Sequence, residues 1–230
     1  FMAAAMLATS LIVVVEAHIA KTDAILLATV TVSMLVLSKF YTASDERAPS
    51  LPIALLFWIV LGVGFLIKGP LILMVASATI AALCLADRNV HWLKALHAES
   101  GVPVALAVVL PWALAASTGN GGSFFTDAVS QDLLPKLAGG QESHGALPGV
   151  HLLALFATAW PWSIMVPFAG ILAWRQRAKP AVRFCLAWLL PAWLIFELVP
   201  TKLPHYTMPL FPALMLLIAA SFAELKTVRD

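Results

Sequence analysis

The sequence predicts an all-α protein, a polytopic transmembrane helical bundle of about eight spans forming a single domain over residues 1–230. Three observations carry this. Of the 230 residues, 61% are hydrophobic and 11% charged, where soluble domains run at about 45–50% apolar and about 25% charged. A mean hydropathy of +0.93 agrees, and a small compact core cannot hide that much apolar surface from water. The apolar residues also gather into long runs separated by Pro, Gly and charge, and none alternates with period 2, as a membrane β-barrel requires.

Taken in order, the runs fall at about 1–15, 24–38, 53–67, 71–86, 102–118, 151–174, 182–199 and 207–222. The first begins at Phe1 with neither an initiator Met nor a charged leader, so the chain is expected to be the later part of something longer. The second opens at Asp23, which suits a helix start. Read as one helix, the 34 residues of 53–86 would stretch about 51 Å, too long for a core of roughly 30 Å. Lys68-Gly69-Pro70 lies in the middle, and Gly-Pro breaks helices. Two spans with Lys68 at the tip follow. The fifth run leads into a long loop, 119–150, which holds seven of the chain's twelve glycines. Loops of this length are functional or disordered. Ser123 could cap a short helix there whose Phe124, Phe125, Val129, Leu133 and Leu134 rest on the membrane surface.

Counting cations in alternate loops orients the chain. Lys39, Arg47, Arg88, Lys94, Arg175, Arg177, Lys179, Lys226 and Arg229 fall on one side, and Lys21, Lys68, Lys136 and Lys202 on the other, with Arg183 at a span boundary. The nine-residue side is cytoplasmic by the positive-inside rule. Reading 53–86 as one span gives a comparable bias, so length decides the topology. The outward side then holds every segment with chemical character.

Candidate site residues come from these outward loops. Lys68 can bind a lipid phosphate or snorkel at the membrane edge. Lys202, His205 and Tyr206 lie among Pro200, Pro204, Pro209 and Pro212, where unwound backbone lines a cavity and three donors can meet an anionic oxygen. An interfacial belt is the plainer reading. Asp23 serves either as a helix cap or as an acid–base group, and Lys21 can orient it or touch phosphate. His144 with Glu142 suits a sugar or phosphate, or simply solvent. Glu197, deep in an apolar run, marks a functional site by default or pairs with Lys202. Glu16, His18 and Asp23 match no strong zinc spacing. A divalent metal is therefore not indicated, and no other cofactor is called for. His91, His97 and Trp92 look like interfacial decoration.

Cys84 and Cys185 are too isolated for a disulfide framework or zinc site. A net charge of +2, spread singly, excludes a nucleic-acid footprint.

Four outward motifs occur in order: Ala20-Lys21-Thr22-Asp23-Ala24; Phe65-Leu66-Ile67-Lys68-Gly69-Pro70; Gly140-Gln141-Glu142-Ser143-His144-Gly145; and Lys202-Leu203-Pro204-His205-Tyr206 running on to Pro212. The set resembles bacterial membrane glycosyltransferases related to aminoarabinose transferase of lipid A and to protein O-mannosyltransferases. The Lys-Leu-Pro-x-Tyr segment and the Lys-Gly tip are its most specific parts.

The resemblance implies a GT-C fold in the bacterial inner membrane, with the motif loops periplasmic. It implies a polyprenyl-phosphate-linked sugar as donor, and membrane lipids and other membrane proteins as partners. Lys68, Lys202 and Tyr206 would line the donor phosphate and sugar, with Lys21, His205 and His144 nearby. It also implies a catalytic base upstream of Phe1, with Asp23 as the candidate within this chain. Such enzymes pass the sugar to a lipid, glycan or protein acceptor. Two other classes share these features: a transporter or flippase for a lipid-linked or anionic solute, and a non-catalytic subunit of a larger membrane complex.

Overall fold

At Gly69 the backbone turns through a positive φ of 64°, and its N–H closes onto the Phe65 carbonyl at 2.8 Å. A residue with no Cβ is favoured at such a turn, and Pro70 has no N–H with which to continue the preceding helix. The expected hairpin therefore forms, Leu51–Lys68 (α4) ending where Leu71–Asp87 (α5) begins. A computed structural model describes residues 1–19, 21–43, 49–119 and 146–227, with Ser130 and Leu134 between the last two.

The remaining elements are Met2–Ala8 (α1), Leu11–Ala17 (α2), Asp23–Thr42 (α3), Ala98–Gly119 (α6), Val150–Thr158 (α7), Val166–Gln176 (α8), Pro180–Leu198 (α9) and Phe211–Thr227 (α10). Short 3-10 turns cover His91–Leu96, Trp162–Met165 and Pro204–Leu210. Among the described residues no strand is recorded.

Among the described residues, five helical stretches are long and apolar enough to cross a membrane: Asp23–Thr42, Leu51–Lys68, Ala98–Thr118, Pro180–Leu198 and Pro204–Glu224. The protein is thus a polytopic membrane protein, but the expected eight spans need correction. The run 1–15 is two seven-residue helices, because Thr9 and Ser10 turn their hydroxyls back onto the Ala5 and Met6 carbonyls, each at 2.8 Å, and open the chain between them. The run 151–174 is a pair of helices bent by 118°, broken at Pro161, which has no N–H to donate. These two breaks meet: Leu11 N–H donates to the Trp160 carbonyl at 3.0 Å, and Trp162 Nε1 donates to Thr9 Oγ1 at 2.9 Å. The α5 helix, at 17 residues, is apolar but shorter than a perpendicular span.

The core gathers around α3 and α10. Val30, Met34 and Leu37 on α3 and Phe211, Ala213, Met215 and Ile218 on α10 are wholly buried members of one hydrophobic cluster, with α3 packed mainly on α4 and α10 on α8, α1 and α9. By contrast α6 lies outside, leaving Leu106, Leu110, Trp112 and Leu114 exposed for lipid to cover. It can approach α4 closely at Gly62, where an added Cβ would sit 3.0 Å from the Ala105 carbonyl oxygen.

Polar residues in the spans answer their own backbone. Thr31, Ser33 and Thr79 donate to carbonyls three or four residues back, which makes a hydroxyl tolerable in hydrocarbon.

The two ends of the bundle differ chemically. At one, Tyr41 donates to Asp87 at 2.7 Å, and Arg183 pairs with the same carboxylate. Arg183, a boundary residue by sequence, thereby ties α9 to α5 at the end expected to be cytoplasmic. An apolar cavity of about 530 Å³ opens in this half, between α1, α3, α9 and α10. The other end carries the charged cluster described next.

Candidate functional site

Four elements deliver ionisable groups to one place. The α2 helix ends at Ala17, one residue after Glu16, and α3 starts at Asp23. Lys68 closes α4, and His205 rides the 3-10 turn Pro204–Leu210. Because the hairpin and the Pro-rich segment return the chain to the same end, residues far apart in sequence meet.

Lys68 forms an ion pair with Asp23 Oδ1. The carboxylate is buried while the lysine is partly open. His205 lies between two acids, with Nδ1 3.4 Å from Glu16 Oε1 and Nε2 3.9 Å from Asp23 Oδ1. Lys21, half exposed, stands 3.9 Å from Glu16 Oε2. Glu16 Oε2 has no hydrogen-bond partner although it is buried. The group is therefore an alternating string of Lys21, Glu16, His205, Asp23 and Lys68. Opposite charges at such spacings support each other where water is scarce.

A second group underpins it. The Glu197 carboxylate accepts the backbone N–H of Gly149 at 2.8 Å and of Leu152 at 2.9 Å. It therefore satisfies orphan donors at the start of α7, where Gly149 takes a φ of 102°. Trp193 Nε1 approaches the same carboxylate at 3.4 Å. Lys202 does not pair with that carboxylate. Its ammonium donates to the carbonyls of Val199 at 2.6 Å, Glu197 at 2.7 Å and Phe196 at 3.4 Å. It closes the C-terminus of α9, where the last carbonyls lack helical partners. Tyr206 stacks edge-on to His205 at 5.3 Å between ring centroids and lies tilted against Phe196 at 6.3 Å.

Of the expected residues, Lys21, Asp23, Lys68 and His205 converge directly, with Tyr206 beside them. Lys202 is adjacent in sequence, but its ammonium is engaged by the α9 carbonyls. His144 and Glu142 lie outside the described residues, as does the short helix expected from Ser123. Glu16 was considered only as a metal ligand, yet it is the acid facing His205. Its signal was a carboxylate at the end of an apolar run with Lys21 five residues on. His18, its imagined co-ligand, is exposed and bonds the Val14 carbonyl at 2.7 Å. Among the described residues no three His, Cys, Asp or Glu side chains form a metal-holding group.

Residues 1–114 match the dolichyl-phosphate-mannose-protein mannosyltransferase family. The chain is 31% identical over 200 residues to an undecaprenyl phosphate-alpha-4-amino-4-deoxy-L-arabinose arabinosyl transferase of Pseudomonas paraeruginosa, covering 85% of this chain and 35% of the relative. A Serratia proteamaculans protein of the same description is 29% identical over 164 residues, covering 71% and 29%. The chain thus spans about a third of the length of the curated relatives it matches. Among solved structures, ArnT from Cupriavidus metallidurans in its apo state superimposes with a TM-score of 0.79 at 21% identity, covering 96% of this chain and 40% of that one. The same protein bound to undecaprenyl phosphate gives the same score.

Proposed function

We propose that this protein, whose residues 1–114 match the dolichyl-phosphate-mannose-protein mannosyltransferase family, transfers a sugar from a polyprenyl-phosphate carrier to a lipid, glycan or protein acceptor. The fold is the GT-C arrangement expected from the motifs. In this reading the charged cluster faces the periplasm of a bacterial inner membrane. The observation that carries it is the Lys68–Asp23 pair within the string from Lys21 to His205, set at one end of an apolar bundle. A polyprenyl phosphate places its anionic head at that depth and its chain in hydrocarbon.

The physical chemistry follows from charge. When the bond between the sugar's anomeric carbon and the phosphate oxygen breaks, negative charge grows on the departing phosphate. Lys68 is partly open, so its ammonium can keep Asp23 on one side and meet phosphate on the other. Lys21 adds a second, more exposed cation, and Tyr206 a phenol on the adjoining turn. Asp23 fixes the Lys68 side chain in advance, so little reorganisation is needed as charge develops. Lys202 supports the site from behind by closing α9 and fixing the segment that presents His205 and Tyr206.

The test is transfer and binding side by side. In lipid nanodiscs the complete protein should transfer sugar from an undecaprenyl-phosphate-linked donor and bind undecaprenyl phosphate in native mass spectrometry. Changing Lys68→Gln together with Asp23→Asn keeps the pair neutral and should lose binding while the protein stays folded. Transport of the donor across vesicles without any transfer would overturn the reading in favour of a flippase.

A further inference from the structure

Glu16 is an unusual residue to bury at a membrane surface. Its side chain is 5% exposed, and Oε2 has no hydrogen-bond partner. A buried carboxylate with an unmet oxygen is costly, and a leucine there would extend the apolar face of α2 at no such cost. What the carboxylate does have is the half-exposed Lys21, 3.9 Å from Oε2, and His205, with Oε1 3.4 Å from Nδ1. A carboxylate only accepts, so it selects the tautomer with hydrogen on Nδ1 and leaves the Nε2 lone pair available. That nitrogen lies 3.9 Å from Asp23 Oδ1. The gap is too long for a direct hydrogen bond.

Resting on the transferase reading above, and in place of the upstream base or Asp23 that the resemblance implies, we propose that His205 accepts the proton which the acceptor loses during transfer, with Glu16 as the residue that positions its imidazole. The acceptor class is then a hydroxyl or an amine, a nucleophile that carries a transferable proton. In the step, the acceptor heteroatom forms a bond to the anomeric carbon. The bond from that carbon to the carrier phosphate breaks, its electron pair going to the phosphate oxygen beside Lys68. The acceptor proton moves to His205 Nε2, and water later removes it. The imidazolium forms between two carboxylates, with Glu16 facing Nδ1 and Asp23 facing Nε2. His205 is therefore a catalytic residue in this scheme, and Glu16 acts through it.

The experiment uses the complete protein in nanodiscs with an undecaprenyl-phosphate-linked sugar and a hydroxyl- or amine-bearing acceptor. His205→Gln should lower kcat by about a hundredfold or more and leave undecaprenyl phosphate binding within about threefold. Glu16→Gln should lower kcat by about tenfold, again without weakening donor binding, and Glu16→Asp should recover part of the loss. Nitrogen-15 NMR of labelled histidine in the wild-type protein gives a readout that needs no variant. The Nδ1–H tautomer is expected for His205, and a dominant Nε2–H tautomer overturns the assignment. Unchanged kcat in His205→Gln overturns it as well, as does a loss confined to donor binding. Failure of the transferase reading itself would look different, because the wild-type protein would then transfer nothing.

Discussion

Lys68 at the end of α4 reaches Asp23 at the start of α3, 45 residues earlier in the chain, and the two close an ion pair at the charged end of the bundle. The carboxylate is the buried partner and the ammonium the more open one, so the pair is asymmetric in its response to mutation. Removing the cation strands a charge in a dry place. Removing the anion leaves a lysine that can turn to water.

Lys68→Ala should therefore destabilise the protein by about 2–3 kcal/mol, somewhat less than the full cost of breaking a buried pair because the lysine reaches solvent. Asp23→Asn should cost less, and the double change should restore part of the loss in Lys68→Ala. Thermal melting of the four proteins of this cycle in detergent checks it. Strict additivity of the two single changes would show that the residues do not interact.

Much of this end of the bundle is legible in the sequence. The hairpin at Gly69-Pro70 followed from length and from a proline that cannot donate. Lys21, Asp23, Lys68 and His205 are expected on one side of the membrane, and the fold brings them to one end of the bundle. What pattern could not reach were contacts between residues far apart in the chain. The sequence offers Glu197 either as a functional-site carboxylate or as a partner for Lys202, but its carboxylate meets the N–H groups of Gly149 and Leu152, which hydropathy does not register. The run 1–15 was read as a span because a window average passes over the hydroxyls of Thr9 and Ser10 that divide it.

Glu197→Ala should loosen the start of α7. Two backbone N–H groups lose their acceptor, a cost of about 1–2 kcal/mol. Glu197→Gln retains one carbonyl oxygen and should lose less. Hydrogen exchange on the amides of residues 149–153 reads this directly. Faster exchange is expected in Glu197→Ala, and protection unchanged from wild type would show that the cap contributes nothing.

Gly101→Ala tests the joint between α4 and α6. A Cβ at residue 101 would clash with the Trp58 indole, which is held by its Nε1 donation to the Leu96 carbonyl at 2.7 Å. Tryptophan has only two side-chain torsions with which to yield, so the ring must leave that bond or α6 must shift. The expected cost is about 1–3 kcal/mol, with altered Trp58 fluorescence against a background in which the other tryptophans are replaced. Trp58→Ala in the same protein should relieve the clash and make the alanine at position 101 nearly neutral. If Gly101→Ala melts at the wild-type temperature, the close approach is absent.

Lys202 separates support from recognition. Its ammonium donates to three carbonyls at the end of α9, those of Val199, Glu197 and Phe196, and the buried side chain holds it there. Bonds from a charged donor are stronger than neutral ones, so Lys202→Met, which keeps the apolar stem, should cost about 2–3 kcal/mol in stability. The same change should leave undecaprenyl phosphate affinity of the folded protein within about threefold, under ~0.7 kcal/mol. Neutralising Lys68 should weaken that affinity at least tenfold, about 1.4 kcal/mol. Melting curves and native mass spectrometry on the same preparations give both quantities. A Lys202→Met protein that melts normally but loses the lipid phosphate would mean that the ammonium leaves α9 to meet the ligand. The expected opposite pattern assigns phosphate recognition to Lys68 and makes Lys202 the residue that holds the His205–Tyr206 segment in place.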